Sequence, residues 1–498
     1  MEAFLKEKIV EIGRDSAWYF GANVTAAALG FISIPIFTRL FSPHDYGIYS
    51  LVSAAISLLA PLLYVWLSQS ALRFYPEYDR NEELGVFYST IYHYMPHFLA
   101  ICYVILLPIA IFWLPLGKYR TVICLGIAVF GLFAVFNVSL ELMRARQFAW
   151  QYSVLTVFMA VGRYLVGAGL VVWFSMGVNG IFWGWLGTLI LLVPIELYAL
   201  RAHKHVRWKD HSPNLSREFL GYGFVLIFAA GFSNILTVGD RYILQVFKGA
   251  TQVGLYSVVY NLMVNSAAVI LGVLTLAAAP VLMKTYENEG EDESVHLVTR
   301  LTRYFLIFLL PSMTGLWVLR FRVMSVISGA RYMAAATAVL PLAIAMVLVN
   351  LSWLPGAAFL LKKKTKPMVV PVTVAALINI GLNFILIPAY GFVGAAWATC
   401  ICYVIHFILV LILSRGLMRW KFPWNGAVRV FAATAVMAGS LYAFGKLPVR
   451  GAGGLLLIIA LGTIVFFGAL LLFGGIEPNE RRFVMQQASK LMPGKRSG

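Results

Sequence analysis

Charge is scarce in this sequence. Only 12% of its 498 residues are Asp, Glu, Lys or Arg, where a soluble globular protein carries about 25%. Hydrophobic residues reach 61% and the mean hydropathy is +0.82. Such a balance excludes a water-soluble enzyme and a disordered chain, and leaves an integral membrane protein with many spans. Cysteine is scarce too. Cys102, Cys124, Cys400 and Cys402 all lie inside apolar runs, which excludes a disulfide scaffold and reads as packing. No G-x-x-x-x-G-K-[ST] phosphate loop occurs, so ATP hydrolysis is not expected. His93 and His97 have helical ligand spacing, but Pro96 intervenes and neither a carboxylate nor a third histidine accompanies them. No cofactor and no enzyme activity is implied.

Acids are outnumbered: 39 Lys and Arg stand against 21 Asp and Glu, a net charge of +18. Where the basic residues fall decides what the excess means. Breaks at charged, Pro-rich and Gly-rich stretches predict about fourteen apolar helices of bilayer length. They span 16–40, 46–69, 85–114, 120–140, 151–175, 180–200 and 218–240 in the first half. The rest span 253–283, 299–321, 333–361, 368–388, 391–414, 426–445 and 453–474. An even count puts both termini on one side. With the N-terminus in the cytoplasm, 28 of the 39 basic residues fall in inside segments and 10 in outside ones, leaving Arg163 within a helix. This bias follows the positive-inside rule, so the charge requires no nucleic acid. Lys362, Lys363, Lys364 and Lys366 read as an anchoring loop suited to anionic headgroups. Residues 1–15 mix both charges, and the apolar stretch after them is too long for a signal-peptide core, so it reads as the first retained span.

An internal repeat organises these helices. Gly47-Ile-Tyr-Ser50, after the first helix, echoes in Gly254-Leu-Tyr-Ser257, after the seventh, 207 residues on. Gly177-Val-Asn-Gly180-Ile-Phe-Trp183 echoes in Gly391-Phe-Val-Gly394-Ala-Ala-Trp397, 214 residues on. The expected architecture is an all-α polytopic membrane protein with two pseudo-symmetric six-helix lobes around a central cavity and an extra C-terminal helix pair. The segments are 1–15 (cytoplasmic), 16–201 (first lobe), 202–217 (linker), 218–415 (second lobe), 416–474 (helix pair) and 475–498 (cytoplasmic tail). Six is even, so the lobes share one orientation, related by an axis along the membrane normal. Rocking such lobes exposes a central site to alternate faces, and the expected activity is transport.

Polar groups inside spans are functional candidates by default. Arg163 shares a helical face with Tyr152, Thr156 and Gly167; it either faces a wet cavity or pairs with a carboxylate such as Glu196 or Glu141. Asn23, Ser53, Ser57, Asn234 and Asn261 lie on small polar stripes, which line a lumen or mediate helix packing. A path of hydroxyls, amides and tyrosines suits a sugar cargo. Arg39, Arg73, Asp240 and Arg241 sit at helix ends, where arginines grip phosphate or anchor the helix. Asp45, Glu141 and Glu196 are the acids available for ion coupling.

Five segments resemble a known family. They are Phe37–Leu51, Ala71–Tyr78, Asp240–Leu244, Val253–Ser257 and, most telling, Asn383–Thr399 with its Pro388-Ala-Tyr-Gly-Phe-Val-Gly-Ala-Ala-Trp397. From about residue 16 to 415 the chain resembles the bacterial O-antigen and exopolysaccharide repeat-unit flippases. Their superfamily also holds multidrug extruders and lipid II flippases. The resemblance implies translocation of undecaprenyl-diphosphate-linked oligosaccharide from the cytoplasmic to the outer leaflet of the bacterial inner membrane, with Na+ or H+ coupling an option. It also implies polysaccharide polymerase and glycosyltransferases as pathway partners. The cavity arginines of lipid II flippases are not transferred, because no arginine occupies the middle of helix one or two here. A drug/cation antiporter of the same fold and a membrane glycosyltransferase or polymerase are the alternatives.

Overall fold

The computed structural model describes residues 2–60, 64–113, 117–364, 366–449, 451–476 and 480, and among them every regular element is a helix. α1 (Glu2–Leu40) runs unbroken from the charged N-terminal segment into the first span, Ala17–Leu40. α2 (Pro43–Ala60) and α3 (Trp66–Arg80) follow, then α4 (Leu84–Ala100), extended by π-helical stretches over Ile101–Leu106 and Ile109–Trp113. α5 (Arg120–Ala145), α6 (Ala149–Val161), α7 (Gly167–Phe174) and α8 (Val178–Ala199) complete the first lobe; a π-helical turn, Gly162–Val166, joins α6 to α7. A linker carrying the short α9 (Ala202–His205) leads to α10 (Pro213–Lys248), α11 (Ala250–Asn288) and α12 (Glu291–Val318). α13 (Arg320–Ile327), α14 (Val339–Leu361) and α15 (Lys366–Arg415) finish the second lobe. α16 (Trp424–Phe444) and α17 (Gly451–Leu472) pack on each other, and α16 also packs along α12.

Among the described residues, eleven helices are long and apolar enough to cross a bilayer, or twelve if α10, bent by 41°, counts as one span. The expected fourteen is not reached by that criterion. α15 carries two of the expected helices, 368–388 and 391–414, which meet at a kink at Gly391, and the second expected helix, 46–69, includes 61–63, which lie outside the described residues. Of the expected tail 475–498, only Gly475, Ile476 and Glu480 belong to the described residues.

The repeat is visible in the backbone. Gly177 precedes α8 at φ 56°, ψ −146°, and Gly391 breaks α15 at φ 58°, ψ −138°. A Cβ is penalised in that region, so glycine recurs at the equivalent joint of each lobe. The other repeated motif faces its own copy. α2 and α11 pack directly together. A methyl on Gly47 would collide with the Ala250 carbonyl, and one on Gly254 with the Pro43 carbonyl. Three residues on, Ser50 Oγ donates to Ser257 Oγ at 2.7 Å, with both residues buried. Small residues are what let two membrane helices approach to backbone contact.

Further bonds tie this end of the lobes together. Tyr242 donates to the Leu51 carbonyl at 3.0 Å, Tyr332 to the Phe41 carbonyl at 3.0 Å and Thr38 to the Ile327 carbonyl at 3.2 Å. Elsewhere α10 crosses back: Ser70 on α3 donates to the Phe219 carbonyl at 3.2 Å. One end of α10 therefore rests on the first lobe, while the rest packs along α15.

The glycine contact predicts an asymmetric response to one added methyl. Gly254→Ala should destabilise the folded chain by about 1–3 kcal/mol, the usual cost of overpacking. Gly231→Ala, where a Cβ meets nothing within 4 Å, should change stability by less than about 0.5 kcal/mol. Thermal unfolding in detergent measures both; equal melting points would refute the contact.

Candidate functional site

Arg163 lies in the π-helical turn between α6 and α7. That turn's extra residue changes the α-helical register between α6 and α7. Its guanidinium stands 3.9 Å from the centroid of Trp185 and 5.2 Å from that of Tyr164. Nη2 donates to the Tyr49 hydroxyl at 3.3 Å, and Nε has no hydrogen-bond partner among the described residues. Neither Glu141 nor Glu196 pairs with it. Glu141 accepts from Arg144 at 3.5 Å, and Glu196 is fully buried, with neither oxygen hydrogen-bonded among the described residues. Aromatic faces and one phenol hold this cation. Such an arrangement contributes roughly 2 kcal/mol when desolvated and leaves the positive charge unneutralised.

A second arginine stands in the other lobe. Arg241 on α10 is buried, donates to Asn261 Oδ1 at 3.4 Å and lies 5.4 Å from the Tyr260 centroid. Asn261 Nδ2 in turn donates to the Tyr46 hydroxyl at 3.3 Å. Tyr46 meets Tyr49 edge-on at 5.7 Å, and Tyr49 accepts from Arg163. A continuous path, Arg163–Tyr49–Tyr46–Asn261–Arg241, thus crosses from one lobe to the other.

The repeated tyrosines hold opposite charges. Tyr49 of the first motif accepts from Arg163, whereas Tyr256 of the second donates to Asp240 Oδ2. Asp240 is fully buried; Thr399 donates to the same oxygen at 3.4 Å, and Oδ1 has no partner among the described residues. Asn383 Nδ2 donates to Asn379 Oδ1 at 2.8 Å on the neighbouring α15. Backbone symmetry is kept while the charges differ in sign.

The remaining expected residues are not gathered here. Asn23, Ser57, Thr156 and Asn234 each donate to the carbonyl four residues back, the usual way a membrane helix satisfies such groups. Ser53 Oγ is buried without a partner among the described residues. Tyr152 packs edge-on against Tyr19 at 4.9 Å. Arg39 donates to the Val326 carbonyl at 3.4 Å, and Arg73 is exposed beside the Phe74 ring. Asp45 accepts from Ser42 Oγ at 2.7 Å, and Ser42 Oγ accepts from the Asp45 amide, which uses the acid to start α2. Tyr46, Tyr49 and Trp185 were not expected site residues, although the tyrosine repeated at one offset was a usable signal.

An apolar groove of about 340 Å³ opens beside the helix pair, lined by Ile270, Phe308, Leu316, Leu441, Ile459 and Phe467 among others. Residues of α11, α12, α13, α16 and α17 contribute. It suits hydrocarbon and offers almost no polar partner.

Residues 12–286 match the polysaccharide biosynthesis protein family. A curated relative, the "Probable low-salt glycan biosynthesis flippase Agl15" of Haloferax volcanii, is 22% identical over 231 residues, 46% of this chain and 48% of that protein. The chain thus spans about half the length of the curated relative it matches. The fold is shared with a solved lipid II flippase, MurJ, in an "inward closed conformation", at TM-score 0.74 and 16% identity, covering 92% of this chain and 98% of that one. An inward-facing multidrug-resistance MATE transporter of the MOP superfamily aligns at TM-score 0.60 and 15% identity, over 82% of this chain and 97% of its own.

The path between the arginines is testable as an energetic link. A double-mutant cycle with Tyr46→Phe and Asn261→Ala should give a coupling of about 0.6 kcal/mol, the mean for hydrogen bonds in membrane proteins. Denaturation in micelles measures it; additive effects would break the path.

Proposed function

The chain belongs to the polysaccharide biosynthesis protein family, and from that premise we propose that it is a flippase for undecaprenyl-diphosphate-linked oligosaccharide. The cargo moves from the cytoplasmic to the outer leaflet of a bacterial inner membrane, with both termini of the protein in the cytoplasm. The observation that carries this reading is the chemistry around Arg163. A deep cation held by Trp185, Tyr164 and Tyr49, with no carboxylate among its described partners, remains available to an anionic headgroup. The archaeal glycan flippase and the lipid II flippase fold point the same way.

Physics gives the parts their roles. Unpartnered sugar hydroxyls in hydrocarbon cost a few kcal/mol each, so the glycan needs a polar route, to which Asn23, Ser53, Ser57, Tyr152, Thr156 and Asn234 contribute. The diphosphate needs guanidinium forks, which Arg163 and Arg241 supply, with Arg39 and Arg73 as peripheral stations. The prenyl chain is accommodated by bilayer and by the apolar groove beside α16 and α17. An inside-negative potential favours outward movement of the diphosphate by about 2.3 kcal/mol per charge per 100 mV.

In the proposed orientation the loops before α2 and α11 lie outside, so the Gly47–Gly254 contact seals the outer end and the lobes load from within. Parting them there, with closure on the inner side, completes alternating access. Asp240 and Glu196, both buried with an oxygen that has no partner among the described residues, are the acids best placed to couple this to Na+ or H+. Asp45 is engaged in starting α2 and Glu141 in pairing with Arg144. Those same buried acids favour the second reading, a multidrug/cation antiporter, whose signature would be dye efflux.

Arg163→Ala should reduce surface glycan at least about tenfold in cells lacking other flippases. Arg163→Lys should retain part of it, since the charge survives and the fork is lost. Wild-type export in both variants would refute the headgroup role.

A further inference from the structure

A basic cavity of about 620 Å³ lies in the second lobe, lined by none of the residues assigned above to cargo. It forms where the first four turns of α12 and the start of α16 meet the chain beyond α17. Arg300, Arg303 and Arg429 line it, together with His296 and Glu293. Arg303 is only 7% exposed, and a cation so withdrawn from water needs anionic oxygen. The chain supplies it. Arg303 Nη2 donates to Glu480 Oε1, and the Tyr304 hydroxyl donates to the same oxygen at 2.6 Å. Arg429 Nη1 donates to the Gly474 carbonyl at 2.6 Å. Asn425 and Gly426 also line the cavity, in the first turn of α16, whose amides form the positive end of the helix.

One carboxylate is small for that volume. A neighbouring cavity of about 680 Å³ shares His296 and Thr299 and adds Arg415, Arg419 and Lys421. Trp424 at the mouth is 71% exposed, and tryptophan favours the headgroup level of a bilayer. We propose that this cavity binds a phosphoryl headgroup and that Glu480 is the chain's own displaceable occupant. A phosphodiester presents the same pair of oxygens to the Arg303 fork as a carboxylate does. Arg300, Arg429 and the first turn of α16, which line the same cavity, add positive potential around the anion. Past Glu480 the sequence holds Arg481, Arg482, Lys490, Lys495 and Arg496 and no acid, so a ligand in an anionic bilayer attracts that segment as well. The headgroup comes from a membrane phospholipid or from a soluble phosphate ester.

The test is a titration of the full-length chain in neutral detergent, read by tryptophan fluorescence. The probes are short-chain phosphatidylglycerol, short-chain phosphatidylcholine and inorganic phosphate. Phosphatidylglycerol should bind at least about tenfold more tightly than phosphatidylcholine, whose phosphodiester is the same but whose quaternary ammonium is repelled by Arg300 and Arg429. Glu480→Gln should tighten binding about tenfold by removing the competitor, and an Arg300→Gln/Arg429→Gln double variant should weaken it at least about tenfold, at an unchanged melting point. Phosphate binding alone, strengthened by Glu480→Gln, assigns the same site to a soluble ester. Equal binding of the two lipids with no phosphate binding, or affinities untouched by both variants, overturns the proposal. No readout involves glycan export, so the outcome is independent of the cargo assignment.

Discussion

Two helices of different lobes touch backbone to backbone at Gly47 and Gly254, and the rest of the molecule is arranged around that contact. A single Cβ at either position would overlap a carbonyl of the facing segment. Without that approach the Ser50–Ser257 bond could not form at 2.7 Å, and Tyr46 would not come within reach of Asn261. In a bilayer, where lipid is as apolar as any leucine, close packing and hydrogen bonds between helices replace the hydrophobic drive of a soluble core. A seam made this way is firm when closed and needs no unfolding to open, which is what alternating access requires.

Charge is placed differently in the two lobes. The first holds a half-buried cation, Arg163, by ring faces; the second holds a buried anion, Asp240, by two hydroxyls, with Arg241 beside it. Each charge is attached to the tyrosine of a repeated Gly-x-Tyr-Ser motif, so parting the lobes moves both holders. On the proposed function, the first lobe's charge serves an anionic cargo and the second lobe's a cation or proton.

Much of this fold was legible in the sequence because the bilayer enforces it. Every apolar run of bilayer length had to become a helix, and the equivalent joints at Gly177 and Gly391 showed themselves as glycines at one offset. The break inside α15 was legible as well, since a new helix was expected from 391 and the chain kinks at Gly391, at φ 58°. The site was read less well. Arg163 was found by being the one charge in mid-span, but its partners were not, since Trp185 and Tyr49 lie on other helices and are common residues in any membrane core. The π-helical turn at Gly162–Val166 was not legible either, because the sequence pattern takes the helical register as constant. Asp45 and Glu141 looked like free acids and are engaged locally, a capping bond and an i,i+3 pair that short-range spacing would have shown.

The claim on which the account rests is that the repeated motif is a seam that must open during each cycle. Replacing Ser50 and Ser257 together by cysteine places two thiols where two hydroxyls now meet. Oxidation of that double variant should stop glycan export, and reduction should restore it in the same cells. Export at the wild-type rate by the fully cross-linked protein would contradict the account.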